Sequence, residues 1–163
     1  IISEKLPRII KNKKRLEKIL DVKISNRGKE VKIQGKPEDE YLTEKIIDAI
    51  NFGFLFSTAI LIKKEDYIFE TINIKNNTKR KDMKTIKARI IGTKGKTLKT
   101  LCDLTKCHFE IKDNEVGIIG PPECMKIAQE AIISLSQGAK HGNVYKGIEK
   151  NQPQEEEDLG LRE

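Results

Sequence analysis

Residues Arg89 to Leu101 read RIIGTKGKTLKTL and set Gly92-Thr93-Lys94-Gly95 between an apolar run and a stretch with helical spacing. Two glycines separated by two residues let the main chain turn tightly and approach another backbone with no Cβ in the way. A helix opening directly after such a turn has first-turn N–H groups without an intrahelical acceptor and a partial positive charge, which together suit a phosphate. Thr93, Lys94, Lys96 and Lys99 add donors and charge at that point, and the apolar Ile90, Ile91, Leu98 and Leu101 have the placement of a groove wall. A GxxG is short and common in turns, so its meaning depends on what flanks it.

The flanks give a regular parse. The alternation over Thr85–Ile91 predicts a strand, Gly92–Gly95 a turn, and Lys96–Thr105 a helix with Leu98, Leu101 and Leu104 on one face. His108–Lys112 and Glu115–Ile119 read as strands joined at Asp113-Asn114. Gly120-Pro121-Pro122 ends the second strand and starts a helix whose face carries Ile127, Ala128, Ala131, Ile132 and Leu135, with Gly138 as its stop. Residue by residue the order is β-α-β-β-α around the GxxG.

The first half echoes it. Ile1–Ile10 contains an apolar run, Lys13–Leu20 looks helical, Val22–Ser25 and Glu30–Ile33 flank a turn at Asn26-Arg27-Gly28, and Tyr41–Ile50 is helical. Val22-Lys23-Ile24 parallels Phe109-Glu110-Ile111, Glu30–Gly35 parallels Glu115–Gly120, and Lys36-Pro37-Glu38 parallels Pro121-Pro122-Glu123. A degenerate repeat of one module follows. The first copy lacks the GxxG: its equivalent turn falls at Pro7–Ile10 or at Lys11–Lys14. Between the copies, Ser57–Lys63 is expected as a short helix and Tyr67–Ile74 as a strand packed back on the first module, with Lys75–Lys84 a surface link. The predicted units are therefore residues 1–82, 83–150, and an acidic disordered tail at 151–163.

Charge is unevenly distributed along the chain. The formal charge is +7; the tail holds five acids against Arg162, a net of −4, which leaves +11 on residues 1–150. A basic body favours a polyanionic partner. With no Trp and eight aromatic residues in all, single-strand recognition by stacked aromatic platforms is disfavoured, whereas a groove that clamps backbone is compatible. Cys102, Cys107 and Cys124 make neither a disulfide framework nor a complete zinc site, and read as buried thiols. No apolar run approaches the roughly 20 residues that cross a bilayer. The chain starts at Ile1 rather than Met, so a targeting segment could precede it; the reading is cytoplasmic.

The segment IIGTKGKTLKTLCDLTKCHFEI resembles the IGxxGxxI core of the K-homology (KH) RNA-binding module. The tandem arrangement, the Arg89-Ile90-Ile91-Gly92 lead-in, the Gly120 stop and the Gly138-x-x-His141 to Tyr145 exit are similar to the archaeal Partner-of-Nob-one family, also called Dim-two. The resemblance implies an α+β fold of two tandem type I KH domains, β-α-α-β-β-α, each a three-stranded antiparallel sheet packed on helices. It implies a small-ribosomal-subunit assembly factor, associated with the pre-small subunit, that binds single-stranded ribosomal RNA near the 3′ end of the small-subunit molecule. Implied partners are the Nob-type endonuclease and the alpha subunit of translation initiation factor 2. By position, the candidate RNA-contacting residues are Arg89, Ile91, Gly92, Thr93, Lys94, Gly95, Lys96, Leu98, Lys99 and Ile111. The glycine-free first copy is expected to face a protein.

Two other function classes compete with this one. Catalysis needs a positioned nucleophile, base or metal cluster, and the chain offers no paired carboxylates beside a His, no P-loop and no Cys/His dyad, so no enzyme, metal or cofactor is expected. His108 and His141 stand alone and read as a strand-edge and a helix-start residue. Tyr145 reads as part of a closing helix, in a basic segment with Lys140, Lys146 and Lys150 that could extend an RNA track. A protein-interaction scaffold is the stronger rival, and another multi-KH protein is a further alternative.

Overall fold

A computed structural model describes residues 6–152. Along the chain run α1 (Leu6–Leu20), β1 (Lys23–Arg27), β2 (Glu30–Gln34), α2 (Pro37–Phe52), α3 (Phe56–Ala59), α4 (Leu61–Lys64) and β3 (Ile68–Asn73). There follow α5 (Met83–Ile91), α6 (Lys96–Thr105), β4 (His108–Lys112), β5 (Glu115–Gly120), α7 (Pro122–Ser136) and α8 (His141–Asn151), with 3-10 turns at Lys75–Asn77 and Thr93–Gly95. β1 and β2 form an antiparallel hairpin, and β3, β5 and β4 form an antiparallel sheet in that spatial order. The fold is α+β.

The central strand β5 shows why the sequence needs both halves. Side chains alternate across a strand, and here the two faces enter different cores. Val116 and Ile118 are fully buried with Ile86, Ile90, Leu101, Phe109 and Ile132 from the second half. Ile119, also fully buried, joins Leu16, Ile46, Ile47, Ile50, Phe52 and Phe54 from the first half. Gly117 lies on this second face. A Cβ there would stand 2.7 Å from a Phe52 ring carbon and 2.9 Å from one of Phe54, so the strand is bare where two rings press on it. Phe52, Phe54 and Phe69 form a ring cluster with centroids 5.8 to 6.1 Å apart. Burying each ring stabilises the contact by roughly 1.5–3 kcal/mol before entropy is counted.

The two hairpins that mark the repeat are present with matching geometry. β1 and β2 turn after Arg27 pairs Glu30, β4 and β5 after Lys112 pairs Glu115, each through a two-residue turn. A helix with proline in its first turn follows both: Pro37 opens α2 and Pro122 opens α7.

Five expectations are corrected. Thr85–Ile91 is helical, within α5, because Ile86 and Ile90 are buried one turn apart and the carboxylate of Asp82 accepts from Thr85 N. The strand at Tyr67–Ile74 is β3, and Tyr67 and Phe69 pack on the first half's core as expected, but the strand pairs along its length with β5 and so belongs to the second sheet, which moves it across the division expected at residue 82. The first half has two strands among the described residues, so the three-stranded sheet expected there is not formed. Neither glycine-free turn exists: Pro7–Ile10 and Lys11–Lys14 are consecutive turns of α1, since without glycine nothing interrupts a helix that buries Ile9, Leu16 and Leu20. The helix expected over Ser57–Lys63 is the short pair α3 and α4. Asn151 ends α8, and the rest of the expected acidic tail, from residue 153, lies outside the described residues, as do residues 1–5.

Candidate nucleic-acid interface

Two buried isoleucines and a capped start hold α5 on the second core, and its end is dictated by Gly92. The Gly92 N–H bonds Ala88 O at 2.8 Å, closing the last turn, while φ 76° and ψ 173° take the chain out of the helix. Lys94 (φ 54°, ψ 31°) and Gly95 (φ 74°, ψ 13°) are then left-handed in succession, which reverses the chain into α6. A left-handed non-glycine costs about 1–2 kcal/mol, so Lys94 is held there by the elements on either side.

The two glycines serve different ends. At Gly92 a Cβ would sit 2.2 Å from Thr97 Oγ1 and 2.6 Å from Thr97 N, because α6 folds back against the loop. Its glycine is required by the fold. At Gly95 nothing lies within 4 Å of the added carbon. That side of the loop is open to an approaching backbone, and no side chain caps α6, so its leading N–H groups face outward as donors.

The predicted residues divide around this loop. Thr93, Lys94, Lys96 and Lys99 are exposed, placing three ammonium groups and a hydroxyl about the α6 N-terminus. Ile91 is 36% exposed, and Leu98 and Ile111 are half-buried against the second core, so these three retain apolar surface. Arg89 is placed otherwise. Its Nη1 donates to Leu135 O at 2.9 Å and its Nη2 to Ala139 O at 2.6 Å, so the guanidinium joins the end of α7 to the lead-in of α8. The carbonyl of the same residue lies 2.9 Å from His141 Nε2. Two of its donors are therefore engaged at the α7–α8 junction.

On the α8 side of the loop is an open cavity of about 410 Å³ lined by Thr85, Ala88, Arg89, Gly92, Thr93, Lys96, Thr97, Thr100, His141 and Tyr145. Ile91, Leu98 and Ile111 take no part in it. Sequence reasoning placed His141 and Tyr145 on the closing helix and named Thr93 but not Thr85, Thr97 or Thr100. The signal available was the one-turn spacing of His141 and Tyr145, which puts both on one helix face.

The cysteines are free, and burial pushes the Cys107 thiol up to about 12. Among the described residues no group of three or more His, Cys, Asp and Glu is arranged to hold a metal ion, and no helix is long and apolar enough to cross a membrane.

Residues 68–153 match the family model of the second KH domain of PNO1, described as a eukaryotic type KH domain (KH-domain type I). The match opens at Ile68, the first residue of β3. The chain is 32% identical over 145 residues to a KH domain-containing protein of Methanocaldococcus jannaschii, covering 85% of this chain and 64% of that protein. It is 29% identical over 111 residues to the pre-rRNA-processing protein pno1 of Emericella nidulans, covering 66% of this chain and 43% of that one. The chain thus spans less than two thirds of the length of either relative. Its fold is similar to that of Dim2p from Pyrococcus horikoshii OT3, with TM-score 0.82 and 28% identity over 90% of this chain and 93% of the other. It is also similar to a chain of the a/eIF2alpha–aDim2p–rRNA complex from the same organism, with TM-score 0.78 and 29% identity over 87% and 82%.

Proposed function

Because the chain belongs to the PNO1 (Dim2) family of KH proteins, we propose that it is an RNA-binding assembly factor of the small ribosomal subunit that grips a single strand at Gly92–Gly95. The observation that carries this reading is the loop: an open face at Gly95, an uncapped α6 N-terminus, and Lys94, Lys96 and Lys99 exposed around it. Backbone N–H groups and lysines hold phosphates without reading sequence. The bases of a stretch of about four nucleotides, the span of a KH module, lie on the aliphatic surface of Ile91, Leu98 and Ile111. The RNA is the small-subunit ribosomal RNA near its 3′ end, and the protein acts on the pre-small subunit in the cytoplasm.

The first half is a second KH-type copy reduced to α1-β1-β2-α2, which corresponds in order to α6-β4-β5-α7. Its continuous α1 offers no loop to a phosphate backbone. Ile10, Tyr41 and Leu55 are 50%, 60% and 64% exposed, which favours a protein-facing role. The alpha subunit of translation initiation factor 2, which is in the complex with aDim2p and rRNA, and a Nob-type endonuclease are the proposed partners.

Crosslinking the protein to cellular RNA and mapping the contacts tests the reading. Contacts concentrated at the 3′ end of the small-subunit ribosomal RNA are expected; contacts scattered over unrelated transcripts would contradict it. Recovery of the protein partners after ribonuclease treatment would favour a scaffold instead.

A further inference from the structure

The loop has two sides, and their chemistry differs. Ile91, Leu98 and Ile111 keep apolar surface on one side; the cavity of about 410 Å³ on the other is lined by Thr93, Lys96, Thr97, Thr100, His141 and Tyr145 among others. A phosphate held at the loop has a nucleoside on either side of it, so a strand whose bases continue over the aliphatic surface places its flanking nucleoside in this cavity. The volume falls in the range of small-ligand sites.

Hydrogen-bond bookkeeping says what that nucleoside must be. The hydroxyl hydrogen of Thr100 goes to Lys96 O at 2.9 Å, which leaves the Thr100 oxygen as an acceptor. His141 Nε2 faces the Arg89 carbonyl at 2.9 Å. A carbonyl only accepts, so Nε2 carries the hydrogen, and in the tautomer so fixed Nδ1 is an acceptor. Two acceptors suit a group that donates. A ribose 2′-hydroxyl both donates and accepts, and it separates RNA from DNA. The Tyr145 ring is half-buried against the second core and tilted 56° to His141, with centroids 6.3 Å apart, so the two rings do not stack on each other and the exposed part of the tyrosine ring is what a base would meet. The site is also fixed in shape. The Arg89 guanidinium ties Leu135 O and Ala139 O while its carbonyl ties His141, so α8 is held against α5 before any ligand arrives.

We propose that the cavity between α5, the start of α6 and α8 is a nucleoside subsite that selects ribose over deoxyribose, with the 2′-hydroxyl on Thr100 and His141 and the base on Tyr145. The proposal rests on RNA binding at Gly92–Gly95.

The test is the affinity of the full chain for a short random-sequence single-stranded RNA and for its DNA counterpart, by fluorescence anisotropy. Wild type is expected to prefer RNA by about tenfold, one strong polar contact's worth. Thr100→Val, which keeps the shape and removes the acceptor, should reduce RNA affinity about fivefold and leave DNA affinity unchanged. Tyr145→Ala should weaken both about tenfold, as loss of one stacked base does; if thermal unfolding shows that this variant does not fold, the RNA-to-DNA ratio of Thr100→Val decides. Equal affinity of wild type for RNA and DNA, or an unchanged ratio in Thr100→Val, would overturn the subsite. Should wild type bind neither strand, RNA binding at the loop falls, and the subsite with it. Should RNA binding be lost when Thr93 and Lys94 are both replaced by Asp, yet stay at wild-type strength in the Thr100 and Tyr145 variants, only the subsite falls.

Discussion

The ring of Phe52 lies on the main chain of Gly117, so close that an added Cβ would come within 2.7 Å of a ring carbon. This contact joins the end of α2 to the middle of the central strand and covers the sheet face that α5, α6 and α7 leave open. The halves therefore share one folded body, with the GxxG loop on the far side of the sheet from the first half's helices.

Gly117→Val should destabilise the protein by about 1–3 kcal/mol through overpacking, and Phe52→Ala by about 3–5 kcal/mol through the cavity it leaves. Thermal unfolding followed by circular dichroism checks both. Because Ile119 and Val116 put one strand into two cores, far-ultraviolet and near-ultraviolet signals should melt in one coincident transition. Two separated transitions would show that the halves unfold independently.

Arg89→Met removes two charge-assisted hydrogen bonds to main-chain carbonyls and should cost about 1.5–3 kcal/mol. Arg89→Lys should recover little of it, since one ammonium does not span Leu135 O and Ala139 O as a planar fork does. The salt dependence of RNA binding distinguishes this from a phosphate contact: in Arg89→Met the slope of log affinity against log salt should match wild type, whereas loss of a phosphate contact lowers it by about one.

The two loop glycines should separate in their effects. Gly92→Ala forces Thr97 and the start of α6 to move and should lower the melting temperature visibly. Gly95→Ala meets no neighbour and carries only the strain of its left-handed φ, about 1 kcal/mol. RNA affinity should fall in Gly95→Ala with the fold intact, since the methyl projects where the strand approaches. The measurement is a melting curve beside a binding titration for each variant.

Burial raises the Cys107 thiol to about 12, well above its usual 9. The folded state thus keeps its proton between pH 9 and 12, where the unfolded chain has lost it. Stability from this group is complete below pH 9 and declines as pH rises through that window. Cys107 should resist a thiol reagent at pH 8 in native protein and react on unfolding; denaturant melts at pH 8 and pH 10.5 should show lower stability at the higher pH, and Cys107→Ser should flatten that difference.

Local pattern carried much of this fold. α6 over Lys96–Thr105, β4 over His108–Lys112 and the helix after Pro121-Pro122 follow from periodicity and from Gly and Pro punctuation, signals that lie inside each segment. Thr85–Ile91 misled because Ile86, Ala88 and Ile90 alternate like a strand while Ile86 and Ile90 also sit one helical turn apart; the deciding cap, Asp82, is outside the window. β3 was readable as a strand but not in its pairing, since Ile68 finds Gly120 far along the chain. The same distance hid the placement of Arg89, whose carbonyl partners are residues 135 and 139. The loop itself was legible because both glycines are local requirements; the cavity beside it depends on where α8 packs.

The most direct test is a binding titration of the Thr93→Asp, Lys94→Asp double variant against a single-stranded RNA from the 3′ end of the small-subunit ribosomal RNA, at two salt concentrations. Thr93 and Lys94 are exposed at the loop tip, so the melting temperature should stay at the wild-type value. Affinity should drop by at least about tenfold, with a shallower salt slope. Wild-type affinity with an unchanged slope would contradict RNA binding at Gly92–Gly95.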